Sequence, residues 1–291
     1  MILITGANGH LGKGTIEYLL KKQPDVKIRA LVRSEEKGAE LKNFGVELAI
    51  GDYYDYNSLA AAMKDVDSLL LISSASMDRR LHQHEQVINA AKEAGVKHVV
   101  YTSFLKANEE TKFTAGRDHA LTEKYILQSG LDYTIMRNTF YLDFLPGFLG
   151  DPVGTGAVYY SAGKYGISYA LRSEMAEANA AVLANPELHR NRIYEITSSE
   201  LFTFPEIAAA ISEYTGKEIS YTDIPVDSLV ENVIKAGVPE GYAKMLGTIA
   251  DAVSAGELNF VSYDLENLIG RRPVSVGEFL KGVYSASPVN N

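Results

Sequence analysis

The chain has 291 residues, 46% apolar and 22% charged, with 37 acidic against 28 basic side chains and a formal net charge of −9. That balance describes a globular protein with room for one large domain, or a large one with a smaller appendage, and it excludes the basic footprint on which nucleic-acid affinity is built. With no cysteine, disulfides, thiolate nucleophiles and cysteine-based metal centres are excluded too.

Strand-length apolar runs alternate with helical patterns along the first half. "ILIT" (2–5) precedes a helix over 11–22, whose Leu11, Ile16, Leu19 and Leu20 share one face. "VKIRALV" (26–32) precedes a helix over 34–43, and "VELAI" (46–50) one over 57–64. "DSLLLIS" (67–73) leads to a helix over 79–94, "HVVYTS" (98–103) to one over 117–129, and "DYTIMR" (132–137) closes the series. This rhythm predicts a doubly wound (Rossmann) α/β fold, a parallel sheet with crossover helices on both faces. After residue 137 aromatic and glycine-rich sequence takes over, followed by one more helix–strand pair (173–185, then "RIYEIT" at 192–197). The remainder reads as a smaller, mostly helical unit. Thr203 and Glu206 have capping-box spacing there, with Gly216 as the helix stop. The expected division is a nucleotide-binding domain over 1–150, completed by 171–200, and a substrate-binding domain from 151–170 and 201–291, ending in a loose tail ("SASPVNN"). No apolar run approaches the ~18 residues of a membrane span. A strand starting at Ile2 leaves no room for a targeting peptide, so the expected location is the cytoplasm. Oligomeric state has no signature in the sequence.

"ITGANGHLG" (4–12) is the most informative segment. Its G-x-x-G-x-x-G follows a strand, opens a helix and lies in a unit of about 30 residues ending in a second strand, as a dinucleotide fingerprint requires. Gly6 permits the tight turn, Gly9 lets backbone approach a pyrophosphate, and Gly12 lets helix and strand pack closely. Unpaired amides at the helix start face the anion. Thr5, Asn8, His10 and Leu11 complete the expected contacts of this turn. At the end of the second strand, Arg33 followed by Ser34 suits the extra phosphate of NADPH; Glu35 and Glu36 nearby keep NADH as the second option. Asp52 is expected to accept from the adenine amino group, or to serve as a turn residue, with Tyr53 beside the ring. Ser73, Ser74 and Ala75 end strand four, next to the switch point of a sheet ordered 3-2-1-4-5-6.

With "LVRS", "GDYYD", "AAKEAGVKHVVYTS", "HALTEKYILQSGLDYTIMRNTFY" and "RSEMAEANAAVL" added to the glycine turn, the chain resembles an atypical short-chain dehydrogenase/reductase of the NmrA-like group over nearly its whole length. Within the group it is most similar to type 2 NAD(P)H:quinone oxidoreductases and triphenylmethane-dye reductases. It departs from extended short-chain dehydrogenases at their Tyr-x-x-x-Lys motif. One phase places Ala115 and His119 at the two positions, another Ala120 and Lys124; neither has the tyrosine. Ser103, beside Thr102, or else Phe104, stands at the usual serine. Losing the proton donor costs alcohol or sugar chemistry a factor of ~10² to 10⁴, whereas a quinone or cationic dye accepts hydride and delocalises the product charge. For those, alignment is the main demand.

The expected acceptor, a small aromatic or quinonoid molecule, needs an apolar, aromatic pocket, for which Phe104, Phe140, Tyr141, Phe144 and Phe148 are the candidates; the alternative for these rings after strand six is core between the two units. The resemblance implies Asn138 and Thr139 near the nicotinamide, and His119 as holder of its ribose. No metal is expected: His82 and His84 of "HQHE", two apart, face nearly opposite sides of a helix. The expected function is an NADPH-dependent reductase acting on quinones or triphenylmethane/azo dyes. The alternatives are a redox sensor that binds NADP(H) without turnover and, behind it, a nucleotide-sugar epimerase.

Overall fold

A computed structural model of the chain describes residues 1–76 and 78–285. The tail expected at the C-terminus lies, past Ser285, outside the described residues. Strands β1 (Ile2–Ile4), β2 (Ile28–Val32), β3 (Glu47–Ile50), β4 (Ser68–Leu71), β5 (His98–Phe104) and β6 (Asp132–Asn138) alternate with helices α1 (His10–Lys22), α2 (Tyr56–Ala62), α3 (Arg80–Glu93) and α4 (Thr114–Ser129). Two short helices, α5 (Leu145–Leu149) and α6 (Pro152–Thr155), and a strand, β7 (Ala157–Tyr160), lead to α7 (Arg172–Ala184) and β8 (Arg192–Ile196). The chain finishes with α8 (Phe204–Thr215), β9 (Ser220–Asp223), α9 (Val226–Lys235), α10 (Glu240–Ser254), α11 (Asp264–Ile269) and α12 (Val276–Tyr284).

The main sheet has seven parallel strands in the order β3-β2-β1-β4-β5-β6-β8, the predicted order extended by the last helix–strand pair. β1 and β4 are buried along their whole length, because helices cover both faces and an uninterrupted apolar strand meets no water there. On one face Ile16 and Leu19 of α1 and Met175 and Leu183 of α7 share a core with Ile4, Leu70 and Val100. On the other, Leu59 of α2, Val87 and Ile88 of α3 and Ile126 of α4 pack on Leu3, Leu69 and Val99. A third core, built on Leu142, Tyr160, Phe204, Ile211 and Val253, holds the C-terminal unit.

Three features differ from expectation. The helix predicted over 34–43 is a 3₁₀ segment, Glu36–Phe44, in which only Gly38 and Leu41 are buried; so narrow an apolar edge gives an α-helix little to pack with. The C-terminal unit, expected to be helical, contains a two-stranded parallel sheet of β7 and β9. Those strands are separated by dozens of residues, and each is too short to stand out in sequence. Finally, Leu265 of α11 joins the core beneath α1 and α7, so a piece of the 201–291 segment packs with the large sheet. The capping box at Thr203 and Glu206 is present, and Gly216 ends α8 in the left-handed conformation.

Candidate active site

At the carboxyl edge of the sheet, where β1 and β4 diverge, lies a cavity of about 400 Å³, the size range of a cofactor site. Its floor is the glycine turn. Gly6 adopts φ +59°, a conformation that favours glycine. A Cβ on Gly12 would stand 2.5 Å from the Gly6 carbonyl oxygen and 2.7 Å from Ala7 Cα, so close packing of α1 on the turn requires glycine. α1 follows Gly9 at its N-cap, with no side-chain cap and no acid in its first turn, leaving its first amides free for an anion.

The cavity brings together Gly6, Asn8, Arg33, Asp52, Tyr53, Ser73, Ser74 and Ala75 from the expected set. Arg33 is exposed at the end of β2 and makes no ion pair among the described residues. Asp52 uses Oδ1 to accept from the Tyr54 amide at 3.0 Å. Tyr53 is turned inward, its hydroxyl donating to the Ile72 carbonyl at 3.0 Å, and Tyr54 is the exposed ring of the pair. Gln83, Ser76 and Tyr54 also line the cavity, and the sequence reading did not single them out.

Other expected residues act behind the cavity wall. Thr5 Oγ1 donates to the Leu70 carbonyl at 3.2 Å and accepts from the Ile72 amide at 3.0 Å, pinning β1 to the end of β4. Thr102 Oγ1 accepts from the Ser73 amide at 2.9 Å. Ser103 donates to Glu123, and that carboxylate is clamped by Arg137 through two contacts, 2.6 and 2.9 Å. Arg137 also reaches Glu195 at 2.9 Å, so α4, β5, β6 and β8 are tied by one ion network. Thr139 donates to the Ser168 carbonyl. Asn138 is different: it is 3% exposed, and neither its amide oxygen nor its nitrogen has a partner among the described residues. Such an orphaned amide costs stability unless something satisfies it, and it stands at the end of β6 where the nicotinamide half of a dinucleotide is expected. Cavity, helix terminus and orphaned amide together fit that group.

The helix α3 supplies a support that sequence reasoning passed over. Arg80, Gln83 and His84 are buried at i, i+3 and i+4, one helix face, and that spacing of polar residues was the available signal. Gln83 accepts from the Ser74 hydroxyl, Arg80 Nε donates to the Ser74 carbonyl at 2.9 Å, and His84 Nε2 accepts from the Ser74 amide at 2.9 Å. Burial, with the Arg80 charge nearby, holds the His84 pKa down at about 3. His82 meanwhile lies 3.4 Å from the Gln86 amide on the exposed side.

The ambiguous helix phase resolves in α4. Ala115 and His119 are buried; the His119 ring lies 5.9 Å from Tyr101 and 6.3 Å from Phe104, and Tyr101 bonds to it at 2.7 Å. Ala120 and Lys124 line an open surface groove, and Lys124 pairs with Glu109 at 3.2 Å. Tyr125, also on α4, donates to Asn89. Phe104 forms an aromatic cluster with Phe113 (4.7 Å) and Phe140 (5.2 Å), and Phe148 follows at 6.4 Å from Phe140. These rings leave only about 10 Å³ between Phe140, Phe148, Tyr160 and Phe204, less room than a small acceptor needs. Phe144 is exposed, its ring 4.3 Å from the Arg172 guanidinium, and Tyr141 lies 5.8 Å from the same group.

Residues 1–274 match the model of the NmrA-like family. Quinone oxidoreductase 2 of Escherichia coli is 34% identical over 291 residues, 100% of both chains. The crystal structure of the NADPH-dependent quinone oxidoreductase from that organism, complexed with NADPH, superposes with a TM-score of 0.93, covering 98% of this chain and 100% of that one at 34% identity. The Citrobacter sp. triphenylmethane reductase complexed with NADP(H) gives 0.91 at 37% identity, covering 97% and 99%.

Proposed function

The chain belongs to the NmrA-like family, and from that premise we propose that it is an NADPH-dependent oxidoreductase that reduces a delocalised acceptor, a quinone or a dye of the triphenylmethane or azo type, in the cytoplasm. The observation that carries this reading is the inner face of α4. It buries Ala115 and His119, and the tyrosine of that helix, Tyr125, donates to Asn89 instead of standing ready as a proton donor. Two similar proteins whose structures hold NADPH or NADP(H) are a quinone oxidoreductase and a triphenylmethane reductase, and acceptors of both kinds can take hydride without a tyrosine acid. Among the described residues no helix is long and apolar enough to cross a membrane.

NADPH, when bound, supplies the hydride. The chain's own residues bind and align. The free amides of α1 and the turn at Gly6, Asn8 and Gly9 hold the pyrophosphate. Arg33 holds the 2′-phosphate, with Tyr54 and Asp52 on the adenine side. The Ser73–Ala75 edge, braced by Gln83 and His84, carries the cofactor across the switch point, with Asn138 buried behind the nicotinamide end. Phe104 and Phe140, both half-buried, would offer an apolar surface to a flat acceptor, and hydride transfer would need it held about 3–3.5 Å from the donor carbon. Residues 1–150 with 171–200 form the cofactor domain in this reading, and 151–170 with most of 201–291 cover the acceptor.

Mixing the protein with NADPH and either menadione or malachite green, and following the cofactor absorbance, tests the proposal. Turnover of at least one acceptor is expected. Binding of NADPH with no turnover of either acceptor would replace the enzyme with a sensor.

A further inference from the structure

Behind the cleft, hydrogen bonds between four side chains determine where two imidazole protons lie. His84 Nε2 accepts from the Ser74 amide and is therefore bare. His84 is fully enclosed and neutral, so its proton is on Nδ1. From there it donates to Thr122 Oγ1 at 2.9 Å, whose own hydroxyl donates to the Asp118 carbonyl at 2.8 Å. The Tyr101 oxygen, 3.5 Å from His84 Nδ1, can only accept on that side. Among the described residues its shortest contact is His119 Nδ1 at 2.7 Å, and the Tyr101 hydroxyl donates there. Burial and the Arg80 charge keep His119 neutral as well, and an accepting Nδ1 leaves its single proton on Nε2. Among the described residues Nε2 has no partner, and it is not one of the atoms sealed from solvent. The chain thus spends a buried relay on holding one N–H outward.

That N–H belongs to a ring 6.3 Å from Phe104, and Phe104 is the cross-strand partner of Asn138 at the end of β6, the region where the acceptor is proposed to lie. We infer that His119 Nε2–H is the hydrogen-bond donor to the carbonyl oxygen of a quinone acceptor, and that His119 sets the preference for oxygen-bearing acceptors over cationic dyes. This rests on the reductase reading above. In quinone reduction two electrons and one proton leave NADPH as hydride and a new bond to hydrogen forms on the quinone. Its C=O π bond opens to an oxyanion, and water supplies the second proton. His119 keeps its own proton and stabilises the charge that develops on oxygen. A triarylmethane cation is neutralised at carbon by the same hydride and develops no oxyanion, so the donor has nothing to act on.

The test compares menadione and malachite green turnover at saturating NADPH in wild type, His119→Phe and His119→Gln. Loss of one such donor is expected to lower the menadione-to-malachite-green kcat ratio about 10²-fold in His119→Phe. His119→Gln, which retains an N–H, is expected to recover most of that ratio. A ratio that does not move overturns the inference, including the case in which both activities fall together with NADPH affinity, as a purely ribose-holding or structural His119 would produce. ¹⁵N spectra of the wild-type protein give a readout independent of turnover: the Nε2–H form is expected at His119, and the Nδ1–H form overturns the inference. A wild type that turns over neither acceptor sinks the reductase reading, an outcome separable from an Nδ1–H spectrum in an active enzyme.

Discussion

Mild acid should destabilise this protein before its carboxylates begin to titrate. His84 is completely enclosed, with a folded pKa near 3 against an ordinary value of 6.5. Between those values the unfolded chain binds the proton and the folded chain does not, so the stabilisation is full above pH 6.5 and is lost as pH falls towards 3. Going from pH 7 to pH 5 therefore removes about 2 kcal/mol through His84 alone. His119, His98 and His189 are shifted the same way by burial and add to the loss. The opposing group is Asp118, whose carboxyl burial pushes upward; it takes up its proton in the folded state first and offsets part of the loss at the acid end. Carboxylates held low by partners, such as Asp223 and Glu278, lose their contribution only as pH falls through the carboxylate range. Urea unfolding at pH 7 and pH 5 measures the difference. Wild type is expected to lose at least about 2 kcal/mol, and His84→Gln, which keeps an acceptor for the Ser74 amide, to lose correspondingly less. Equal stability at the two pH values, or the same loss in His84→Gln, would refute the reasoning.

Three further outcomes can be checked separately. Arg33→Ala removes an exposed guanidinium that has no protein partner among the described residues, and calorimetry should show NADPH affinity falling about 10- to 100-fold, with NADH far less affected; equal losses for both cofactors would remove the phosphate role. Gly12→Ala places a methyl 2.5 Å from the Gly6 carbonyl oxygen, so the turn must shift, at a cost of about 1–3 kcal/mol by thermal melting and with weakened NADPH fluorescence titrations. Arg137→Met leaves the side chains of Glu123 and Glu195, 6% and 15% exposed, without their cation. Urea titration at pH 7 should show a loss of about 3–5 kcal/mol, whereas a loss within experimental error would mean that water enters the network freely.

The glycine turn and the strand rhythm were readable because each is specified within a few residues. A left-handed Gly6 and a Cβ-free Gly12 are local requirements, and "SLLL" needs no neighbour to announce a strand buried on both faces. Other features depended on which residues met in space. Tyr53 and Tyr54 are adjacent in "GDYYD", and only the return of the loop after β3 towards the end of β4 turns the first inward to Ile72 and leaves the second at the cavity. The "HQHE" segment fails as a chelator by spacing alone, yet His84 acquires its role from Ser74, Thr122 and Tyr101, which come from three other parts of the chain. The aromatic run after β6 could line a pocket or fill a core between the two units, and only the folded chain packs Phe140 and Phe148 with Phe104 and Phe113.

Fold class, strand order and the position of the glycine turn thus follow from the sequence, because periodicity, backbone conformation and crossover handedness act at short range. The phase of α4, the pairing of β7 with β9 and the proton positions on His84 and His119 were decided only by the tertiary structure. Each of these is a long-range matching of groups: a buried donor takes whichever acceptor the fold brings within about 3 Å, and no local pattern encodes that partner.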